Sequence, residues 1–465
     1  MYHTRNPYCI SNRKLPLTET LSANTFSSDL PFLTSKTNVS LMPNILLKNG
    51  RIIDPANNRD EIADLLVQND KIVQIAPNIT VPDAQVLDVS GKLVTPGLID
   101  MHVHLRDPGF PEKETIQTGC QSAAAGGFTS VACLPNTNPT VDTPETVHYI
   151  LDQAKSADAR IYPIACATEK MQGEKLTDTD ALLKAGAIGF SDDGLPIESE
   201  TLMRDLLERA AANGFAVYPH SEVFELTRGG HMHEGSVSKE LGIKGMPAEG
   251  EAAMNERDIE LVRQTGGRLH ILHLSVKRAV DLVRQAKQDG LPVTAEASPH
   301  HIALTDEDVR IYGTAGKMSP PLRAKEDQDA VIAGLQDGTI DALATDHAPH
   351  TNEEKLRAFT ESPNGILGFE TAVGILFTKL VHTHTLSLND TLAKLTIEPA
   401  RILGIEGGTL SIGKAADITI IDPDQEWVVD ANQFKSKSRN TPFHGWTLKG
   451  RATTTILSGR ITHQI

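Results

Sequence analysis

The sequence predicts an α/β fold: a (β/α)8 TIM barrel with a small β-sandwich domain formed by both terminal flanks. Three observations carry that reading. Between about residues 97 and 400, eight short apolar runs alternate with stretches of helical period. Continuous apolar strands separated by helices describe a parallel sheet buried on both faces. Eight such units in ~300 residues match a closed barrel better than an open sheet. Secondly, the segments on either side of this middle are β-rich and resemble each other in style. Thirdly, no G-x-G-x-x-G follows the first strand and there is no P-loop, which disfavours a doubly wound nucleotide-binding sheet.

Taken in order, residues 1–41 differ in composition from the rest. Ser, Thr and Asn fill 16 positions, only two residues are acidic, and no period persists. This reads as a disordered leader, or as a start placed upstream of a true start at Met42; a Ser-rich, acid-poor transit peptide shares the composition but would show an Arg-rich amphipathic helix. Residues 42–96 carry β-type runs such as "NILLKNGRIID", separated by Asn-Gly, Asn-Asp and Ser-Gly turns. Residues 401–465 repeat the pattern in "KAADITIIDPDQEWVV" and "WTLKGRATTTILSGRI", so the two flanks are expected to meet in one small β domain. The eight runs of the barrel, residues 97–400, are "GLIDMHVHL", "FTSVACL", "RIYPIACA", "GAIGFS", "FAVYPH", "RLHILHL", "PVTAEA" and "IDALATD".

Composition narrows the function. With 44 Lys and Arg against 60 Asp and Glu, the net charge is −16, which repels a phosphate backbone and disfavours nucleic acid as a partner. No apolar stretch approaches the ~18 residues that cross a bilayer, and no secretory signal is present. The four cysteines, Cys9, Cys120, Cys133 and Cys166, lie far apart, as thiols of a reducing, cytoplasmic compartment do. Histidine is abundant, at 17 residues, so its placement decides what the chain can do.

A barrel places its functional groups at the C-terminal ends of its strands. Strand 1 ends with His102 and His104, strand 5 with His220, strand 6 with His273 and strand 8 with Asp346. Residues two apart in a strand share a face, so His102 and His104 enter the lumen together. One isolated histidine would be read as a core or surface residue; five ligand-type residues closing separate strands converge on one mouth. Imidazole with carboxylate suits zinc or another first-row divalent ion. His270, three before His273, is expected to face the opposite side of its strand. His231 and His233 read as loop residues, and His300 and His301 as support for the site.

The runs "DMHVHLRDPG" (Asp100 to Gly109), "HLS" at His273 and "ATDHAPH" ending at His350 resemble the amidohydrolase superfamily. Within it, the chain from Met42 onward is similar to the bacterial type I dihydroorotases, with "PNTNP", "GFSDDG", "GKMSPPLR" and "NGILGFE" in support. The resemblance implies that His102, His104 and Asp346 bind one metal and that His220 and His273 bind a second. Two Zn2+ per chain are thereby implied. Related enzymes bridge the pair with a carboxylated lysine on strand 4, but the nearest lysine here, Lys184, lies in the preceding helix. Asp193 takes the bridging place, with its neighbour Asp192 as the alternative.

The implied reaction is the reversible cyclisation of N-carbamoyl-L-aspartate to L-dihydroorotate in pyrimidine biosynthesis. A divalent ion brings the pKa of its water toward neutrality, and Asp346 acts as general base and then acid. Arg106 offers a bidentate fork to the substrate carboxylate; His104, Asn136 and His350 belong to the same pocket. Asn364 and Gly365 are expected to make backbone contacts to the ring amide. Ser319 departs from the family, whose members often carry Asn there, and leaves that ring contact to water. The polar segment from Thr351 to Pro363 is expected to move on substrate binding. Competing readings are a hydantoinase or allantoinase on the same scaffold, and a non-catalytic relative that partners aspartate transcarbamoylase; the second is expected to lack metal ligands that this chain retains. A homodimer, or association with aspartate transcarbamoylase, completes the expected partners.

Overall fold

The computed structural model describes residues 44–465; the leader expected over residues 1–41 lies outside the described residues. The first flank contributes β1 (Ile45–Asp54), β2 (Arg59–Gln68), β3 (Lys71–Ala76), β4 (Gln85–Asp88) and β5 (Leu93–Pro96). Its turns rest on asparagine. Asn58 and Asn69, which lead into β2 and toward β3, sit at φ 50° and 54°, a left-handed conformation that Asn tolerates better than most residues.

The barrel follows. Its strands are β6 (Leu98–Val103), β7 (Phe128–Cys133), β8 (Arg160–Pro163) with its continuation β9 (Ala165–Cys166), β10 (Gly189–Ser191) and β11 (Ala216–Val217). A small parallel ribbon, β12 (Met232–His233) with β13 (Gly245–Met246), stands apart in the loop after β11. The ring is completed by β14 (Arg268–Ile271), β15 (Val293–Ala297) and β16 (Ala342–Leu343). All neighbouring strands of the ring pair parallel. A parallel bridge from Val103 to His347 closes it. Each of the eight apolar runs thus supplies one wall position of the barrel.

A helix follows each wall strand, from Ile116–Gly126 after β6 to Phe369–Leu376 after β16. Their starts are set by short polar caps: Thr115, Thr143, Asp178 and Ser199 accept from backbone N–H groups of the first turn. Two apolar layers result. Val103, Val131, Val217 and Ile271 point outward and pack under the helices, whereas Ile99, Met101, Leu134, Tyr218, Leu272 and Ala344 fill the lumen. Helix Ile397–Leu403 seals the floor of the lumen with Ala400 and Leu403. The interior is therefore packed from below, and only the upper mouth is left for chemistry.

The chain ends in β17 (Ile418–Val428), β18 (Thr447–Leu457) and β19 (Arg460–Gln464). These join the first flank through β5, which pairs parallel to β1 and antiparallel to β17, with Val94 opposite Ile420. The expected sandwich is hydrogen-bonded as one continuous sheet, in the order β19-β18-β17-β5-β1-β2-β3 with β4 on β1, around a shared core that includes Leu47, Leu65, Val94, Ile418 and Ile456. Thr419 docks the sheet on the barrel: its hydroxyl donates to Gly127 O at 2.6 Å and accepts from Leu98 N–H at 3.3 Å. Gly127 ends its helix at φ 95°, and a Cβ there would lie 2.8 Å from Thr419 Cγ2, so glycine is required at this close approach. Among the described residues, no helix is long and apolar enough to cross a membrane.

Phe128, fully buried, packs its ring 5.6 Å from that of Phe369 where the wall meets the outer helices. Truncation leaves a void that the rigid strand beneath cannot fill. Phe128→Ala is expected to lower the unfolding free energy by about 3–5 kcal/mol, read from urea denaturation.

Candidate active site

Six side chains meet at the mouth. His102 and His104 leave the end of β6, Asp193 follows β10, His220 lies beyond β11, His273 beyond β14 and Asp346 beyond β16. Ser191, whose hydroxyl donates to Tyr218 O at 2.6 Å, accepts the Asp193 N–H at 2.9 Å and so fixes the turn that presents this carboxylate. Asp193 lies at the centre. Its Oδ2 is 3.6 Å from His102 Nε2 and 3.4 Å from His104 Nε2; its Oδ1 is 3.2 Å from both His220 Nδ1 and His273 Nε2. Asp346 Oδ1 faces the first pair, 3.4 Å from His102 Nε2 and 3.1 Å from His104 Nε2. Asp192 turns away, accepting from the N–H groups of Ala167 and Thr168 and from the Thr168 hydroxyl. It anchors the strand-3 loop. Lys184 is exposed on helix Thr179–Ala185.

These groups fit a divalent metal. Ligands held at ~2.1 Å in a tetrahedron stand ~3.4 Å apart, and the spacings here run on either side of that value. His102 Nε2 is buried and finds no hydrogen-bond partner among the described residues, as a lone pair reserved for a cation would. His220 Nδ1 and His273 Nε2 face each other at 3.0 Å and both face Asp193 Oδ1, so the three atoms surround one point that a cation could occupy. Three overlapping triads drawn from the six each bring their ligand atoms within 4.8 Å of one another.

The electrostatics agree. Burial opposes ionisation of Asp193 and Asp346, yet the surrounding imidazoles hold both well below the ordinary carboxylate range. Burial equally opposes a charge on His102, but Asp346, Glu296 and Asp193 raise its pKa well above the usual value. The cluster retains its anions and draws positive charge inward.

Placing these groups strains the backbone. Arg106, His273 and Asp346 sit at φ 60°, 34° and 50°, a region that costs non-glycine residues about 1–3 kcal/mol each. The turn at His273 also upsets the expected alternation along β14. His270 does not pack behind the barrel; its Nδ1 is 2.8 Å from Thr294 Oγ1 and its Nε2 is 3.2 Å from Glu296 Oε2.

Beside the cluster lies a cavity of about 550 Å³, lined by His104, Arg106, Asn136, Ser319, His350 and Asn364 together with Asp193, His220 and Asp346. Arg106 Nε donates to Pro349 O at 3.2 Å and its Nη2 to His350 Nε2 at 3.2 Å. Burial brings its pKa down to about 10, which leaves it charged at neutral pH. Burial, with the charges of Arg106 and Lys113, lowers His350 to about 2, so its imidazole is neutral and can accept from Arg106. Asn136 Oδ1 is 2.9 Å from His104 Nδ1, a contact that leaves His104 Nε2 free to face the carboxylates. Gly365 departs from its expected role. Its N–H donates to Lys317 O and its carbonyl accepts from Lys355 Nζ and Asn440 Nδ2, so these groups are engaged within the protein; it packs under the His350 ring outside the cavity lining.

Several contributors escaped the sequence reading. Glu296, at the end of β15, lies 2.6 Å from His102 Nδ1, and this hydrogen bond directs Nε2 into the site. Against burial, the His102 and His270 imidazoles hold its carboxyl at about 2. A charged residue inside the apolar run "PVTAEA" was the available signal. Glu222, two beyond His220, does the same for that ring at 3.2 Å. Lys317 and Lys355, both buried, donate to carbonyls of Phe359, Ser362 and Pro363 and so tether the polar segment from Thr351 to Pro363.

Comparison with known proteins adds an independent line. A family profile described as "Dihydro-orotase-like" matches residues 91–279. The dihydroorotase of Pelotomaculum thermopropionicum is 49% identical over 420 residues, covering 90% of this chain and 98% of that protein. That of Syntrophotalea carbinolica is 46% identical over 422 residues, covering 90% and 99%. Among solved structures, the L-hydantoinase (dihydropyrimidinase) of Arthrobacter aurescens superposes with a TM-score of 0.81 at 26% identity, over 91% of this chain and 96% of that one.

The Glu296 contact gives a measurement independent of these likenesses. Partners that orient a metal-binding imidazole are worth about 10–100-fold in affinity. Glu296→Gln is therefore expected to weaken metal retention by that factor while leaving the fold intact, read by elemental analysis after graded chelator dialysis.

Proposed function

The chain belongs to the dihydroorotase family, and on that premise we propose that its own reaction interconverts N-carbamoyl-L-aspartate and L-dihydroorotate with zinc at the barrel mouth. The observation that carries the reading is the pairing of two unlike groups in one cavity, a His/Asp cluster and the half-buried guanidinium of Arg106. A substrate with a hydrolysable ring amide and a fixed carboxylate matches both.

His102, His104 and Asp346 would hold one ion, His220 and His273 a second, with Asp193 between them because its two oxygens face the two histidine pairs. When bound, such ions lower the pKa of water and polarise the amide carbonyl. The remaining work falls to the chain itself. Arg106 grips the substrate carboxylate through its planar fork, with neutral His350 and Asn136 beside it. Ser319 and Asn364 line the ring-facing wall of the same cavity.

In the hydrolytic direction water adds to the ring amide carbonyl, the bond from that carbon to the ring nitrogen breaks, and the nitrogen gains a proton. Asp346, kept anionic by its imidazole neighbours, accepts the proton from the attacking water and delivers it to the departing nitrogen. In the biosynthetic direction the same residue moves the proton back as the ring closes. A cytoplasmic setting belongs to the same proposal, supported by the free, buried thiols of Cys120, Cys133 and Cys166.

Purified protein is expected to hydrolyse dihydroorotate, with Asp346→Asn lowering kcat by about 10²–10⁴-fold in a folded protein. Arg106→Lys keeps the charge but loses the fork, and should raise KM for dihydroorotate by about tenfold with a smaller change in kcat. Turnover of hydantoin or allantoin without dihydroorotate would replace this reading with that of another cyclic amidase.

A further inference from the structure

We propose that Asn440, far along the chain in the C-terminal flank, is the positioning residue that holds the substrate-carboxylate pocket together; the proposal rests on the functional reading above for what that pocket binds. Asn440 is 5% exposed and lies between the loop after β16 and the turn at Asn364. Its Oδ1 accepts from His350 N–H at 3.0 Å. Its Nδ2 donates to Ala348 O at 2.8 Å and to Gly365 O at 3.0 Å. Its own carbonyl accepts from Leu367 N–H at 3.0 Å.

One acceptor opposite an N–H and one NH2 opposite two carbonyls permit a single orientation of the amide. No other residue type presents an acceptor and two donors at this reach. The contacts tie together two loops that each carry a cavity-lining side chain, His350 on one and Asn364 on the other. Gly365 leaves no slack, because a Cβ there would lie 2.6 Å from Ala348 O. The neighbouring chain is itself held down. The Ser436 hydroxyl and the Lys437 N–H donate to the buried Glu114, and the Ser438 hydroxyl donates to Lys113 O at 2.8 Å. Asn440 touches none of the six metal-cluster side chains, so its removal should act on binding of the carboxylate more than on the chemical step.

The test compares Asn440→Ala and Asn440→Asp with the unaltered protein. The aspartate keeps the size and the acceptor for His350, but sets an oxygen against two carbonyls. Both variants are expected to raise KM for dihydroorotate about tenfold or more, with kcat and bound metal within about threefold of the unaltered values. Amide hydrogen exchange should quicken at residues 348–350 and 364–367 and stay unchanged at residues 98–105. An unchanged KM in a folded variant overturns the proposal, including one whose thermal midpoint alone has fallen, since that is a structural role only. Unchanged exchange at both segments overturns it too. Failure of the unaltered protein to turn over dihydroorotate would instead sink the functional reading, and hydrogen exchange would still decide the role of Asn440.

Discussion

Four carboxylates, those of Asp193, Asp346, Glu222 and Glu296, are buried together at the mouth of the barrel, and the upper half of the molecule is organised around keeping them charged. An isolated buried carboxylate would take up a proton, because desolvation costs several kcal/mol. Here each has imidazole nitrogen within 2.6–3.6 Å. Glu296 and Glu222 bond to one nitrogen of His102 and of His220 and orient those rings, Asp193 and Asp346 face the other nitrogens, and all but Glu296 line the cavity. The result is a layered arrangement in which His102, His104 and His220 each commit one nitrogen to the scaffold and turn the other toward the space a cation would fill.

The scaffold supplies rigidity for this arrangement from below and from the side. The lumen beneath the cluster is packed with aliphatic side chains and capped by helix Ile397–Leu403, so the mouth cannot relax downward. Laterally, the strand ends reach the site through residues in the left-handed region, which persist only where neighbouring bonds leave the backbone no alternative. Asp346 illustrates this. Thr345 N–H donates to Asp100 Oδ1, and the following His347 donates to Thr345 Oγ1 while its carbonyl accepts from His104 N–H. Strand 1 and strand 8 therefore fix each other at the point where their side chains meet.

Much of this was legible in the residue order. The eight wall strands fall on eight apolar runs, since a strand buried on both faces must be apolar throughout. The side chains that close those runs do gather at one mouth, and Asp193 and Asp192 do point opposite ways. What the order of residues did not disclose were contacts made across the fold. Glu296 stands out in its strand but names no partner. His270 was misjudged because the alternation rule fails where the chain bends at His273. Gly365 was read as a substrate contact, since nothing local reveals that its N–H and carbonyl are engaged by Lys317, Lys355 and Asn440. Asn440 itself sits in a stretch of polar turn residues, and only the return of the chain over the barrel gives it meaning.

The continuity of the flanking sheet has a further consequence, for synthesis. Strand β5 leaves the ribosome early, but its antiparallel partner β17 lies beyond the whole barrel, and Pro96 cannot find Ile418 until nearly all of the chain has emerged. At ~5–20 residues per second, β5 spends roughly tens of seconds with an open edge, and unpaired edges recruit foreign strands. The sheet that the N-terminal flank begins is thus completed only after the whole barrel sequence has been made.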